Sequence, residues 1–333
     1  MMRSRSLRFP APGEIEIISA EIAAPGPDEL RCTAEVSLVS VGTELTCLRG
    51  EFDPRTFWEE WVQYPFAPGY SMVSRVESAG ANVAAFRQGD RVFSFTPHVG
   101  VFLTPAQDVF AIPDTVSDDH AAWASLAVTT QWALRRAGFA FGETAAVVGL
   151  GLLGQLLVRY LRIAGARRIV AIDTDADRLA LATAGGADEV LSLPVGDAAA
   201  DLRGAFDVVL DVTGHPAALA GSSELVRPLG RLVLVGDAPR PSLQHLGPRI
   251  VADGISIIGV HAGTAAEFPT PSDPWSTTAM LAVFFRYVED GRMDLSALIT
   301  DRVSVDDAVE MYRALERDRT AHLGVLIDWG GTP

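Results

Sequence analysis

The stretch Ala145-Ala-Val-Val-Gly-Leu-Gly-Leu-Leu-Gly154 constrains the fold more than any other part of the chain. Ala145 to Val148 reads as a strand, Gly149 to Gly154 as G-x-G-x-x-G, and Gln155 to Ala164 as the helix that the glycines open. In such a turn the first glycine (Gly149) makes the bend, the second (Gly151) lets backbone approach a pyrophosphate, and the third (Gly154) lets helix pack on strand. The helix start adds free N–H groups and a partial positive charge for phosphates. The next apolar run, Arg168-Ile-Val-Ala-Ile-Asp173, ends in a carboxylate. It falls near the separation, roughly 20 residues, expected of an acid that bridges the adenosine ribose hydroxyls and repels a 2′-phosphate. These features predict a dinucleotide site that favours NAD over NADP, with Arg178, shortly after Asp173, arguing the other way.

The bulk properties fit a cytoplasmic enzyme. With 333 residues the chain is long enough for about two domains. A formal charge of −15 argues against nucleic acid or an anionic membrane as partner, because a polyanion would be repelled. Cys32 and Cys47 have no partners at metal-binding spacing and cannot make a disulfide framework. The basic opening Met1 to Arg8 runs into Phe9-Pro-Ala-Pro-Gly13 without an apolar core, so it does not read as a signal peptide. Ala121 to Leu134 is too short and too interrupted to span a bilayer.

The pattern changes near residue 120. Before it, alternating runs such as Leu30–Val39, Met72–Val76 and Arg91–Phe95 sit between Pro and Gly turns and predict an antiparallel, β-rich segment. A helix is expected over Val116 to Ala137, capped by Ser117. Strands at Ala145–Val148, Ile169–Ile172, Glu189–Leu191, Phe206–Leu210, Arg231–Val235 and Ile255–Val260 then alternate with helices, the signature of a doubly wound parallel sheet. After the connector Phe268–Pro274 come two helices, about Trp275–Glu289 and Val305–Arg317, and a last strand, His322–Asp328. The expected fold is α/β: a nucleotide-binding domain over 123–267 and a β-rich domain built from 1–122 and 268–333.

Val41-Gly-Thr-Glu44, then Pro68-Gly-Tyr-Ser-Met-Val-Ser-Arg-Val76, then Gly89-Asp-Arg-Val92, all ahead of a late nucleotide half, resemble the medium-chain dehydrogenase/reductase superfamily over nearly the whole chain. Asp211-Val-Thr-Gly214 and Gly230-Arg-Leu-Val-Leu-Val-Gly236 look like that family's fourth and fifth nucleotide-fold strands. The resemblance implies a GroES-like catalytic domain beside a Rossmann domain. It also implies cofactor roles: Leu150, Leu152 and Leu153 along the pyrophosphate turn, Asp173 and Arg178 beside the adenosine ribose, and Thr213, Val235 and Gly236 near the nicotinamide. A homodimer through the terminal strand Gly254–Val260 is the family's arrangement, and a hydrophobic edge strand invites such pairing.

Departures from the family pattern concern metal. Its zinc-dependent members place a cysteine where this chain has Val41, a histidine where it has Tyr70, and an acid where it has Ser71. Trp123-Ala-Ser-Leu-Ala127, the third-ligand region, offers no Cys, Asp or Glu, and the four-cysteine structural lobe is missing. Catalytic zinc needs three protein ligands, so the sequence predicts a zinc-free enzyme resembling the branch of bacteriochlorophyllide dehydrogenases and natural-product tailoring reductases. Side chains must then polarise and protonate the substrate. Thr43 occupies the family's proton-relay position, Tyr70 replaces a ligand that points into the same site, and His98, in a loop after a strand, could shuttle a proton. Glu44 is left to hold local backbone or pair with an arginine, and the insertion-like segment Gly50–Pro68, rich in aromatics, is the expected substrate-specific element. The expected activity is NAD(H)-dependent interconversion of a secondary alcohol and a ketone on a small molecule. Reduction of an activated alkene and a catalytically silent NAD-binding protein are the alternatives.

Overall fold

The computed structural model describes residues 2–330 apart from Phe268 and Ser272, two residues of the expected connector that therefore lie outside the described residues. In chain order the elements begin with β1 (Met2–Arg8), β2 (Glu16–Ile22), β3 (Glu29–Val39), α1 (Val41–Arg49), α2 (Phe57–Trp61), β4 (Met72–Ala79), β5 (Arg91–Ser94), β6 (Val101–Pro105), β7 (Val109–Ala111) and α3 (Asp118–Ala121). There follow α4 (Ala124–Arg136), β8 (Thr144–Val148), α5 (Leu152–Ile163), β9 (Arg168–Asp173), α6 (Ala176–Ala184), β10 (Glu189–Ser192), α7 (Val195–Leu202), β11 (Phe206–Asp211), α8 (Pro216–Leu225), β12 (Val226–Leu234) and β13 (Ser256–Gly259). The chain closes with α9 (Thr277–Glu289), β14 (Ile299–Ser304), α10 (Ala308–Arg317) and β15 (Gly324–Asp328).

Two compact units result, Met1–Ser125 with Ala282–Pro333, and Leu126–Leu281. The sequence had suggested divisions after 122 and 267. In the second unit six strands run parallel in the order β10-β9-β8-β11-β12-β13. Alternate residues of the central strands feed two different cores: Ala145, Val147, Ile169, Ala171, Val208 and Leu210 one, Ala146, Val148, Val170, Ile172 and Val209 the other. Both faces being apolar, helices must cover both, and the doubly wound arrangement is the outcome. β13 is an edge strand of this sheet, with Ile257 exposed.

The first unit holds the β-rich part. A seven-stranded sheet runs β14-β15-β3-β4-β5-β7, with β6 also on β3, and β1 pairs antiparallel with β2. In β3 every second residue from Leu30 to Leu38 is buried, the alternation expected when one face carries the core. β14, β1 and β2 escaped the sequence reading for a physical reason. β1 alternates Arg with Ser, β14 places Thr, Asp, Arg and Ser around two apolar residues, and neither β2 nor β14 has a fully buried residue.

The single helix expected over Val116–Ala137 is two helices. Ser117 caps α3 as anticipated, accepting the N–H of His120. The Ser71 hydroxyl donates to the Ala122 carbonyl at 2.5 Å, engaging a backbone acceptor at the point where the helix is interrupted.

Candidate active site

In the second unit the glycine turn has the expected construction. Gly149 adopts φ +91°, and a Cβ there would lie 2.8 Å from the Thr213 methyl. A Cβ on Gly154 would meet the Gly149 carbonyl oxygen at 2.0 Å, whereas one on Gly151 would meet nothing within 4 Å. The turn is thus tight where it packs and open where a phosphate would approach, and this geometry fits a dinucleotide. No side chain caps α5, so the N–H groups of Leu152 and Leu153 in its first turn have no partner within the helix. Leu150 differs: its side chain is buried in the core and its N–H is given to Asp173 Oδ2 at 2.6 Å. The other Asp173 oxygen accepts from Thr174 and Asp175 N–H, so this carboxylate also pins the end of β9 to the turn. Arg178 lies in the first turn of α6, where its N–H is capped by Asp175 and its carbonyl accepts from Gln155 Nε2. Thr213 donates from both N–H and hydroxyl to the buried Asp211, whose carboxyl is raised above the usual range by burial. The Val235 and Gly236 N–H groups go to the Asp211 carbonyl. Thr213 and Gly149 are thereby brought together at the strand ends.

The first unit brings together Tyr70 and Thr43. β3 and β4 pair with Ser37 opposite Met72, which sets Tyr70, two residues before β4, beside the step from β3 into α1. Across that step the Tyr70 hydroxyl donates to Ser40 Oγ at 2.5 Å and lies 3.3 Å from Thr43 Oγ1. Val41-Gly-Thr43 is the first turn of α1 and not a free turn. Burial pushes the Tyr70 phenol up to about 12, against the opposing effect of its bonds to Ser40 and Thr43. It therefore stays protonated at neutral pH and can act as a hydrogen-bond donor.

His98, expected as a loop residue able to shuttle a proton, is enclosed by the protein. It is fully buried, its Nδ1 is 2.8 Å from Ser37 Oγ, and its Nε2 is 3.1 Å from Glu44 Oε2. With both ring nitrogens engaged by protein it has no free atom for a substrate, so the direct proton-shuttle role is withdrawn. Trp329 Nε1 donates to Ser37 Oγ at 2.9 Å. For a neutral imidazole with Nε2–H on the carboxylate, Nδ1 must accept the Ser37 hydroxyl proton. Among the described residues Glu44 pairs with no arginine. It is buried and gathers three donors: the Tyr312 hydroxyl, His98 Nε2, and the Ser40 N–H at 2.7 Å on its other oxygen. Sequence reasoning missed Ser37, Ser40, Tyr312 and Trp329. The only local signal was Ser40 followed by Glu44, one residue longer than a capping box.

Metal donors are scarce here. Val41 is buried and apolar, the Ser71 hydroxyl is engaged by Ala122, and Glu44 is enclosed by its donors. Among the described residues no group of three or more His, Cys, Asp or Glu could hold a metal ion. Burial pushes both thiols up, Cys32 to about 12. The residues present do not fit a zinc ion.

Comparison with known proteins agrees with this architecture. The family model described as zinc-binding dehydrogenase matches residues 153–276, which lie in the nucleotide unit. The chain is 30% identical to L-threonine 3-dehydrogenase of Anaeromyxobacter dehalogenans (strain 2CP-C), over 82% of this chain and 86% of that protein. It is 27% identical to 2-desacetyl-2-hydroxyethyl bacteriochlorophyllide A dehydrogenase of Cereibacter sphaeroides, over 99% of this chain and 100% of that protein. A Sinorhizobium meliloti 1021 protein described as a zinc-binding dehydrogenase and bound to NADP shares the fold, with TM-score 0.79 at 20% identity, over 98% of this chain and 100% of that one. Taken with the two units and the glycine turn, these likenesses mean that the chain belongs to the medium-chain dehydrogenase/reductase superfamily, among the zinc-binding dehydrogenases, and is an oxidoreductase.

Proposed function

We propose that this protein is a zinc-independent, NAD(H)-dependent oxidoreductase that interconverts a secondary alcohol and a ketone on a small molecule, with Tyr70 as proton donor to the substrate oxygen. The observation that carries the proposal is the Tyr70 hydroxyl, held by Ser40 and Thr43 at the position where the family's zinc-dependent members have a ligand. The nicotinamide nucleotide, when bound, supplies the hydride. The protein's own part begins with the open face of Gly151 and the free N–H groups at the start of α5, which suit a pyrophosphate. Asp173 supplies negative charge that favours ribose hydroxyls over a 2′-phosphate. In reduction, Tyr70 gives its proton to an oxygen gaining alkoxide character, which is a stronger base than a phenolate. Thr43 lies beside that phenol and can orient it or take part in the proton's path.

The test is an NADH-consumption assay over a panel of ketones and activated alkenes side by side, followed by Tyr70→Phe on the best substrate. Turnover of ketones, with kcat lowered by about 10²–10⁴ in Tyr70→Phe, is expected. Turnover of alkenes alone, or an unimpaired variant, would refute the reading. The same reading includes a homodimer through the exposed edge of β13. Light scattering that returns only a 35.5 kDa species at micromolar concentration would remove the dimer.

A further inference from the structure

Ser40 sits at the N-cap of α1, where a serine hydroxyl ordinarily accepts the N–H of the second or third helical residue. Its side chain makes no such bond. Its own N–H is tied to Glu44 Oε1 at 2.7 Å, its carbonyl accepts the Glu44 N–H at 2.8 Å, and its hydroxyl faces Tyr70 at 2.5 Å. The backbone of Ser40 is thus clamped at both ends by one buried residue, while its side chain is turned away from capping. Glu44 is itself fixed by His98 and Tyr312, so the clamp is anchored in the core. Thr43 is the weaker partner of the phenol, at 3.3 Å.

We propose that Ser40 is the positioning residue for Tyr70. Its oxygen accepts the phenol proton in the resting protein and fixes the orientation of the hydroxyl. When that proton moves to the substrate oxygen, the Ser40 hydroxyl turns to donate to the phenolate it leaves behind. No bond to Ser40 forms or breaks. It stabilises the charge on Tyr70, and it has no part in nucleotide binding. The inference rests on Tyr70 being the proton donor.

Four proteins separate the possibilities: wild type, Ser40→Ala, Ser40→Thr, and Ser40→Ala combined with Tyr70→Phe. On the best ketone from the panel, Ser40→Ala should lose about 10–100-fold in kcat, the worth of one hydrogen bond to a charged group, with NADH affinity and melting temperature little changed. Ser40→Thr, which keeps the hydroxyl, should recover most of it. Because Ser40 acts through Tyr70, the alanine change should cost nothing further in the Tyr70→Phe background. A readout without substrate accompanies these: in protein carrying ¹³Cζ-tyrosine, the Tyr70 resonance, assigned by its disappearance in Tyr70→Phe, should move in Ser40→Ala and hold in Ser40→Thr. If Tyr70→Phe abolishes turnover while Ser40→Ala keeps it, or if the Ser40→Ala loss persists undiminished in the Tyr70→Phe background, Ser40 does not act through Tyr70. An unmoved Tyr70 resonance in Ser40→Ala would overturn the proposal in the same way. Unimpaired turnover in Tyr70→Phe itself would instead remove the underlying assignment.

Discussion

A Cβ on residue 69 would lie 2.7 Å from the His98 ring, so Gly69 and His98 share a space that only a glycine leaves open. The next residue is Tyr70, and the His98 N–H is bonded to the carbonyl of Pro68 at 2.8 Å. His98 therefore holds the segment that carries the phenol by its backbone N–H and by the packing of its ring on Gly69, and its ring, through Glu44, holds the residue that the phenol contacts. One residue supports both sides of a hydrogen bond it does not itself make.

Gly69→Ala is expected to damage both stability and turnover. Residue 69 has φ +94°, which an L side chain rarely adopts, and the new methyl group would press on His98. Strain of this kind costs about 1–3 kcal/mol. His98→Ala should cost a similar amount, about 1–3 kcal/mol, by leaving Glu44 and Ser37 short of partners in the core. Urea titrations of both variants measure the loss, and midpoints equal to wild type would contradict the packing argument.

Cofactor choice is expected to follow the charge of Asp173. NADH should bind at least about tenfold more tightly than NADPH, a difference of about 1.4 kcal/mol, as read by calorimetry. Asp173→Asn should narrow that gap and also weaken NADH binding, because the carboxylate holds the Leu150 and Thr174 N–H groups at the turn. Equal affinities in the wild type would separate Asp173 from cofactor discrimination.

Metal analysis of protein purified from zinc-supplemented cultures should find no stoichiometric zinc, and chelators should leave turnover unchanged. The ground is the donor set: a valine and a phenol stand where zinc-dependent relatives have thiolate and imidazole. Stoichiometric zinc together with chelator-sensitive turnover would overturn the mechanism.

Alkali should destabilise the fold. Burial raises Cys32 and Tyr70 to about 12, and burial with the neighbouring Glu44 raises Cys47 and Tyr312 as well. The folded state thus holds these protons more tightly than the unfolded chain. The stabilisation is complete below the unfolded values, about 9 for a thiol and about 10 for a phenol, and is lost as pH climbs toward the folded ones. Melting temperature should fall progressively above pH about 9, less steeply in Cys32→Ala. A level profile from about pH 8 to about pH 11 would show that these groups are not perturbed in this sense.

How much of this was legible in the chain depended on how local the cause was. The glycine turn, Asp173 and the parallel strands announce themselves because each is specified within a few consecutive residues. The family resemblance gave Thr43 and Tyr70 separate roles in one site, and their hydroxyl oxygens lie 3.3 Å apart. Ser40 gave almost no signal, since its diverted hydroxyl depends on Tyr70 and its clamped backbone on a glutamate one residue beyond the usual spacing. His98 was misjudged because burial is not a property of a loop but of what packs on it. Here that includes Tyr312 and Trp329 as neighbours of its partners, contributed from the far end of the chain.

That distance has a consequence for biosynthesis. Trp329 donates to Ser37 across a separation of 292 residues, and β15, which it follows, lies in the sheet between β14 and β3. A ribosome adding roughly 5–20 residues per second leaves this edge of β3 waiting for tens of seconds after its own emergence. During that interval the second unit, being contiguous in sequence, can complete its sheet, while β3, already paired with β4 and β6, keeps one edge open over Val36–Val39, a template for a strand of a neighbouring nascent chain. Because β15 follows the whole of the second unit in sequence, the open edge of β3 is closed only after that unit has been made.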